Sequence, residues 1–141
     1  MIAIDAFMTR NPVSLPSDAT VADAWRQMGA TGCRHLPVVR AGKVIGIVSQ
    51  RSLYRLETVA RIDRSHEPVM DAMEEALLFA PGAPLAFVAR AMAEGKHGAA
   101  IVVEDARPVG IFTSVDGLRA LAGLLGASEA ERAELAAALT A

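Results

Sequence analysis

The chain contains an internal repeat. An offset of 64 positions, from Val38 to Val102, aligns identical residues in two stretches of the sequence. The identities include Ala19 with Ala83, Ala22 with Ala86, Arg26 with Arg90, Met28 with Met92, and Gly46-Ile47 with Gly110-Ile111. At the starts of the units, a slip of two residues pairs Met8 with Met70. Two units therefore occupy about 8–60 and about 70–125. Two copies are too few for a solenoid, so we expect them to pack on each other.

Each unit has the pattern of a helix, two strands and a second helix. Apolar residues recur at helical spacing after Thr20, a good helix cap, and after Pro84, which suits a helix start. Gly32 and Gly95 are typical helix stops. A short turn then separates two strands, and a closing helix follows. The predicted strands are 36–39, 44–49, 100–103 and 109–113, and the closing helices are about 51–61 and 115–125. This pattern predicts an α+β fold.

Residues 126–141 fall outside the repeat. Ser128 and Glu131 have the spacing of a capping box, and Leu135 and Leu139 lie one helical turn apart. We therefore expect a single domain over 1–125, followed by a helical tail that is either docked on the domain or frayed.

The composition restricts the classes of function. Apolar residues make up 52% of the 141 residues but aromatic residues only 4%, so the core must be aliphatic. The formal net charge of −2 and the lack of a long basic run argue against nucleic-acid binding. Cys33 is the only cysteine, which excludes an intrachain disulfide and a Cys-based zinc site. We expect this thiol to be buried, and the three histidines lack the spacing of a metal site.

The sequence also gives expectations about location and catalysis. No apolar run has the length of a membrane span, and the first residues do not resemble a signal peptide. A reducing, cytoplasmic location fits best. No pairing of a base with a nucleophile is visible, so we do not expect an enzyme, and no cofactor is required.

Thr113 and Asp116 allow two interpretations. A hydroxyl residue at the end of a strand, followed three places later by an acid, is typical of a helix cap with a favourable charge in the first turn. The same pattern also suits a nucleotide. Helix amides and the Thr113 hydroxyl would face phosphate, and the Asp116 carboxylate would accept hydrogen bonds from a ribose diol.

The repeated phrase as a whole resembles a known motif. His35-Leu36-Pro37-Val38-Val39 and the following Gly42 to Ser49 resemble the CBS motif, named for cystathionine beta-synthase, and Gly98 to Asp116 is similar to it. A tandem pair of such motifs is called a Bateman module. The resemblance implies two units related by a pseudo-twofold axis, with clefts between them. It also implies an adenosyl ligand such as AMP, ADP, ATP or S-adenosylmethionine.

One cleft retains the pattern that the resemblance implies. Asp116 would hold the ribose, and Thr113 would lie on the phosphate side. Arg34 and His35 of the other repeat would reach the phosphates, together with Arg51. Backbone and apolar edges at Pro37 and Ile111 would flank the adenine.

The other cleft departs from the pattern. Ser52 stands where the first cleft has Asp116, next to Ser49, and the opposite arm is His97-Gly98, which has no arginine. We expect this degenerate cleft to be empty or weak.

Two hypotheses follow for the whole chain. The first is a regulatory module that binds an adenine nucleotide or a related adenosyl ligand, forms a homodimer, and signals to a protein that the sequence does not identify. The alternative is a structural or dimerisation module that binds no ligand because its nucleotide sites are degenerate.

Overall fold

The computed structural model describes residues 1–126 and 129–140, apart from the side chain of Leu135. The first unit contains helix α1 (Val21–Thr31), strands β3 (His35–Arg40) and β4 (Lys43–Ser49), and helix α2 (Gln50–Val59). Reciprocal hydrogen bonds between Thr20 and Asp23 start α1, and Gly32 ends it with a left-handed φ of 73°.

The second unit repeats this order. It contains α3 (Leu85–Gly95), β6 (Ala99–Glu104), β7 (Arg107–Thr113) and α4 (Ser114–Leu124). Helix α3 begins after Pro84 and ends at Gly95, where Lys96 adopts the left-handed conformation. The two mixed units confirm the predicted α+β fold.

Three further strands, each of two residues, complete two sheets, one in each unit. They are β1 (Thr9–Arg10), β2 (Leu15–Pro16) and β5 (Leu78–Phe79). One sheet has the order β2-β3-β4, and the other has the order β1-β7-β6-β5. Strand β1 therefore pairs with β7 of the second unit, although it precedes the first unit in the chain.

The segments that precede the two units are exchanged between them. Ile4, at the start of a short 3-10 turn, is fully buried in the core of the second unit. Val69 and Ala72, in the corresponding turn Val69–Ala72, are buried in the core of the first unit. Glu74 then forms an antiparallel bridge with Ile47 of β4.

This exchange corrects the alignment of the unit starts. The Met8 side chain lies where a Cβ atom on Gly110 would be, and the Met73 side chain occupies the same place over Gly46. Met8 thus corresponds to Met73, and the pairing of Met8 with Met70 is wrong. The slip is one residue in the opposite direction, which sequence identity between methionines could not decide.

The two sheets meet through an aliphatic cluster. Ala99, Ile101 and Ile111 form its buried centre, and Val44 and Ile47 of the first unit pack against it. At the hairpin tips, the Val44 backbone N–H donates to the Ala106 carbonyl across the boundary at 2.8 Å. The position equivalent to Val44 in the second unit is Pro108, which has no N–H to donate.

The tail forms helix α5 (Glu129–Thr140), whose described side chains are exposed; Leu139, for example, is 79% exposed. The predicted cap residue Ser128 and the side chain of Leu135 lie outside the described residues. None of the helices in the described part of the chain has both the length and the apolar character needed to cross a bilayer.

Candidate functional site

A cavity of about 700 Å³ lies between the two units. The loop after β1 forms one wall, and the residues leading into β3 form a second. The N-terminal ends of α2 and α4 close the remaining sides. Six predicted ligand-binding residues line it: Arg34, His35, Arg51, Ile111, Thr113 and Asp116. The structure thus brings residues of both units together around one space.

The geometry of Asp116 is compatible with both interpretations of its motif, a helix cap and a ligand contact. Its Oδ2 atom accepts hydrogen bonds from the Thr113 backbone N–H at 2.9 Å and from the Thr113 hydroxyl at 3.1 Å. The Asp116 backbone N–H in turn points at the Thr113 hydroxyl at 3.4 Å, which completes a capping box. The helix cap therefore uses one carboxylate oxygen and leaves the other, Oδ1, for a second task.

The Oδ1 atom of Asp116 faces Arg119, one helical turn further along α4. The Arg119 Nη1 atom lies 3.5 Å from it, and the arginine side chain is 76% exposed. Asp116 itself is only 9% exposed. Since an ionised carboxylate has about four acceptor sites, Oδ1 retains capacity for a ligand hydroxyl.

The cationic wall of the cavity comes from the first unit. Arg34 and Arg51 are exposed on it, at the entrance to β3 and in the first turn of α2. His35 lies between the units, so close to Gly98 that a side chain there would overlap its ring. Burial, and secondarily the Arg34 charge, lowers the pKa of His35, while Glu74 acts in the opposite direction. The lowered pKa favours the neutral form of His35, and the arginines supply the positive charge of this wall.

Of the two predicted apolar neighbours of the adenine, Ile111 and Pro37, the structure places only Ile111 at the cavity. Ile111 lines the cavity. Pro37 is buried in the middle of β3, paired with Ile47 of β4, and is absent from the described lining of the cavity. The reason is the sheet register: β3 enters the cavity wall only at its first residue, His35, and Pro37 lies two residues further into the sheet.

The residues assigned to the degenerate cleft do not share one location. Ser49 lines the same cavity as Asp116. Ser52 is buried, and its hydroxyl accepts from the Ser49 backbone N–H at 2.9 Å and donates to the Ser49 carbonyl at 3.0 Å. His97 lies against Gly95 at the end of α3. Ser52 and His97 are both outside the described lining of this cavity, so Ser49 does not belong with them in a separate cleft.

Several lining residues were missed from the sequence. Thr9, Asn11 and Val13 reach the cavity because β1 pairs with β7, which the repeat alignment does not reveal. Arg119 could have been found from its spacing of three residues after Asp116 on a predicted helix. The expectation that Cys33 is buried is wrong, because this thiol is exposed on the cavity wall.

The chemistry of the cavity suits an anion with a hydroxylated part. Among the described lining residues, three arginines face a single carboxylate. The N-terminal ends of two helices open into the same space, and helix N-termini favour negative charge. Within the described residues, no group of three histidine, cysteine or acidic side chains could hold a metal ion.

Comparison with known proteins identifies the repeated unit. The family model of the CBS domain matches residues 4–58 and 65–123. The crystal structure of AcuB from Vibrio cholerae, named for acetoin utilization, is 34% identical. It superposes with a TM-score of 0.78 and covers 90% of this chain and 95% of that one.

Two further solved structures share the fold at lower identity. The CBS domain pair of protein MJ0100, in complex with 5′-methylthioadenosine and S-adenosyl-L-methionine, is 22% identical with a TM-score of 0.78, covering 87% of this chain and 98% of that one. CBSX2 in complex with AMP is 23% identical with a TM-score of 0.76, covering 88% and 98%.

The curated relatives are longer proteins. The chain spans 43% of the length of one of them, at 29% identity over 119 residues, and 12% of the length of two others.

Proposed function

Because the chain belongs to the CBS domain family, we propose that residues 1–125 act as one regulatory module that binds an adenosyl ligand in the cavity between the units. The single observation that supports this most strongly is the convergence of Asp116 with Arg34 and Arg51 on that cavity. In this proposal the module senses a ligand and carries out no catalysis.

The proposed binding mode divides the ligand between the units. Ribose hydroxyls donate to the Oδ1 atom of Asp116, because Oδ2 already accepts two hydrogen bonds. Phosphates lie towards Arg34 and Arg51, since a guanidinium matches phosphate oxygens in charge and geometry. Ile111 provides an apolar wall for the adenine. The candidate ligands are AMP, ADP, ATP and S-adenosylmethionine.

The solved neighbours support this class of ligand. MJ0100 binds 5′-methylthioadenosine and S-adenosyl-L-methionine, and CBSX2 binds AMP, on the same fold. All three compounds contain adenosine or a derivative of it. They share the adenine and ribose for which we propose Ile111 and Asp116.

The proposed signal is a change in the arrangement of the units. A ligand held by Asp116 in α4 and by Arg51 in α2 touches both units at once. It therefore stabilises the arrangement that brings these helices to the ligand, and a partner that distinguishes the two arrangements senses its concentration. The module would act in the cytoplasm on a regulated protein, and a reducing compartment fits the exposed thiol of Cys33.

A second candidate function is a homodimerisation module without a ligand. It is favoured by the apolar surface of α4, on which Leu118, Leu121 and Leu124 are exposed. The capping box also gives Asp116 a structural role that needs no ligand. The two functions are compatible in one protein, and they are separated by measuring ligand binding.

The decisive experiment compares two equivalent aspartates. Asp116→Asn removes the charge that the ribose requires, and Asp23→Asn removes the same charge from the capping box of α1, outside the described cavity lining. We expect titration calorimetry to show one adenosyl ligand per chain. Asp116→Asn should weaken binding by about 1.5–3 kcal/mol, while Asp23→Asn should leave the affinity unchanged.

Thermal unfolding provides the parallel measurement. A ligand that binds only the folded state raises the melting temperature, by an amount corresponding to about 2.7 kcal/mol at a hundredfold excess over Kd. If none of AMP, ADP, ATP or S-adenosylmethionine moves the transition at millimolar concentration, the sensor proposal is wrong and the dimerisation module remains.

A further inference from the structure

We infer that Arg119 makes the cavity selective for adenosyl ligands that carry phosphate groups. It does so by pairing with the Oδ1 atom of Asp116 when the cavity is empty and with the phosphates when a ligand is bound. This inference rests on the proposed function, because it names the ligand class of the same cavity. It concerns Arg119, which lies one helical turn beyond the motif residue Asp116 and has Arg55 as its counterpart in the first unit.

Arg119 and a bound ribose would compete for one atom of Asp116. The Oδ2 atom of Asp116 already accepts two hydrogen bonds from Thr113. Ribose hydroxyls must therefore bind the Oδ1 atom, which the Arg119 guanidinium faces at 3.5 Å. Oδ1 has two acceptor sites, and the two hydroxyls of the ribose diol would take both of them, so a ligand that binds there displaces the guanidinium.

Once displaced, the Arg119 guanidinium needs a new anionic partner. Arg119 lines the cavity and is 76% exposed, so its side chain is free to reorient. Asp116 is the only carboxylate among the described lining residues. A ligand without an anionic group, such as adenosine, leaves the guanidinium with no new partner, whereas a ligand with phosphate supplies one.

The cavity as a whole has an excess of positive charge. Arg34, Arg51 and Arg119 outnumber the one carboxylate, and no ion pair links Arg34 or Arg51 to another of the described residues. An anionic polyphosphate neutralises this excess. S-adenosylmethionine has a positive net charge at pH 7, because its sulfonium and ammonium groups outnumber its one carboxylate, and it cannot neutralise this excess. The electrostatics therefore favour ADP or ATP over S-adenosylmethionine, and adenosine without phosphate should bind weakly.

The chain offers a matched control for Arg119. Arg26 pairs with Asp23 of the α1 capping box at the same spacing of three residues, at 2.9 Å, and its side chain is 73% exposed. Arg26→Ala removes the equivalent ion pair from a helix start outside the described cavity lining. It reports what the loss of such a pair does to the fold alone.

The experiment measures the affinities of adenosine, ADP and S-adenosylmethionine for the full chain, Arg119→Ala and Arg26→Ala by titration calorimetry. In the unmodified protein ADP should bind tightest. Arg119→Ala should weaken ADP about tenfold, because a charge-assisted contact is lost. It should strengthen adenosine about two- to fivefold, because the competitor for Oδ1 is gone. Arg26→Ala should change neither affinity.

The opposite signs make the test specific. If Arg119→Ala shifts ADP and adenosine in the same direction, Arg119 only positions Asp116 and the inference is wrong. Equal binding of ADP and S-adenosylmethionine by the unmodified protein also overturns it. These outcomes leave the proposed function intact, whereas an absence of binding by all three compounds at millimolar concentration overturns both.

Discussion

At the scale of single residues, Gly46 and Gly110 allow the connecting segments to lie close against the sheets, because neither residue has a side chain. At Gly110, the three atoms nearest to an added Cβ would all belong to the flexible Met8 side chain. A side chain at Gly46 would overlap Met73 and would also lie 2.9 Å from the Glu74 carbonyl oxygen, which belongs to the backbone. The two equivalent glycines therefore differ in what must move to accommodate a methyl group.

We predict that Gly46→Ala destabilises the protein by about 1–3 kcal/mol through overpacking, and that Gly110→Ala costs less because the Met8 side chain can shift. Chemical denaturation followed by circular dichroism measures both free energies of unfolding. Gly29→Ala, at a glycine with open space around its α carbon, is the control for the substitution itself. Equal losses at Gly46 and Gly110 would contradict the interpretation.

The residues of the site differ in how far the sequence could predict them. Thr113 and Asp116 were correctly predicted to cap a helix, and they line the cavity, because a strand that ends in a hydroxyl residue with an acid three places later has the spacing of a helix cap. The placement of Pro37 was wrong because a sequence motif does not show how far a strand extends beyond the cavity wall. The role of Ser49 was misassigned because it lines a cavity that extends across both units, whereas the alignment assumed two separate clefts.

At the scale of elements, α2 and α4 occupy equivalent positions but present different surfaces. Tyr54 of α2 packs on Trp25, and the Trp25 indole N–H donates to Glu57 at 2.9 Å. Arg64 covers the same indole ring from the segment after α2. On α4, Leu118 stands in the position equivalent to Tyr54 and is 66% exposed, against 54% for Tyr54, and Leu121 and Leu124 are exposed as well. An apolar surface of this kind on a small protein is typical of an interface.

We predict that the chain forms a homodimer through α4 and that Leu118→Asp dissociates it, because a charge is costly to bury at an apolar interface. Sedimentation velocity should show a shift from dimer to monomer at micromolar concentration. Leu139→Asp, at an exposed leucine of α5, should leave the dimer unchanged. A monomeric unmodified protein, or a dimer that tolerates Leu118→Asp, would refute the prediction.

The elements also show which parts of a fold a sequence reveals. The helices and the two hairpins were predicted because each has a long enough apolar period to be recognised. Strands β1, β2 and β5 were not predicted, since two residues carry no period. Their pairing is decided by contacts between distant parts of the chain.

At the scale of the whole molecule, the exchanged segments make each unit depend on the other half of the chain. The first core contains Val69 and Ala72, and the second contains Ile4. Burying a valine side chain contributes about 1.5–3 kcal/mol, against a total stability of about 5–15 kcal/mol for a typical domain. Neither half contains its complete core.

We therefore predict that fragments 1–61 and 62–141 are unfolded when separate and fold when mixed, as measured by circular dichroism. A chain that ends at residue 126 should keep the melting temperature of the full chain, because the described side chains of α5 are exposed. Cooperative unfolding of fragment 1–61 alone would show that the exchanged segment is dispensable.

The hydrogen bond from the Val44 N–H to the Ala106 carbonyl has a consequence for the symmetry of the molecule. Two copies of the first half, facing each other, could form this bond twice, because each supplies the donor and the acceptor. Two copies of the second half could form it in neither direction, since Pro108 has no N–H to donate. The two halves are therefore not interchangeable at the hairpin tips: the first carries both the donor and the acceptor of this contact, and the second carries the acceptor alone.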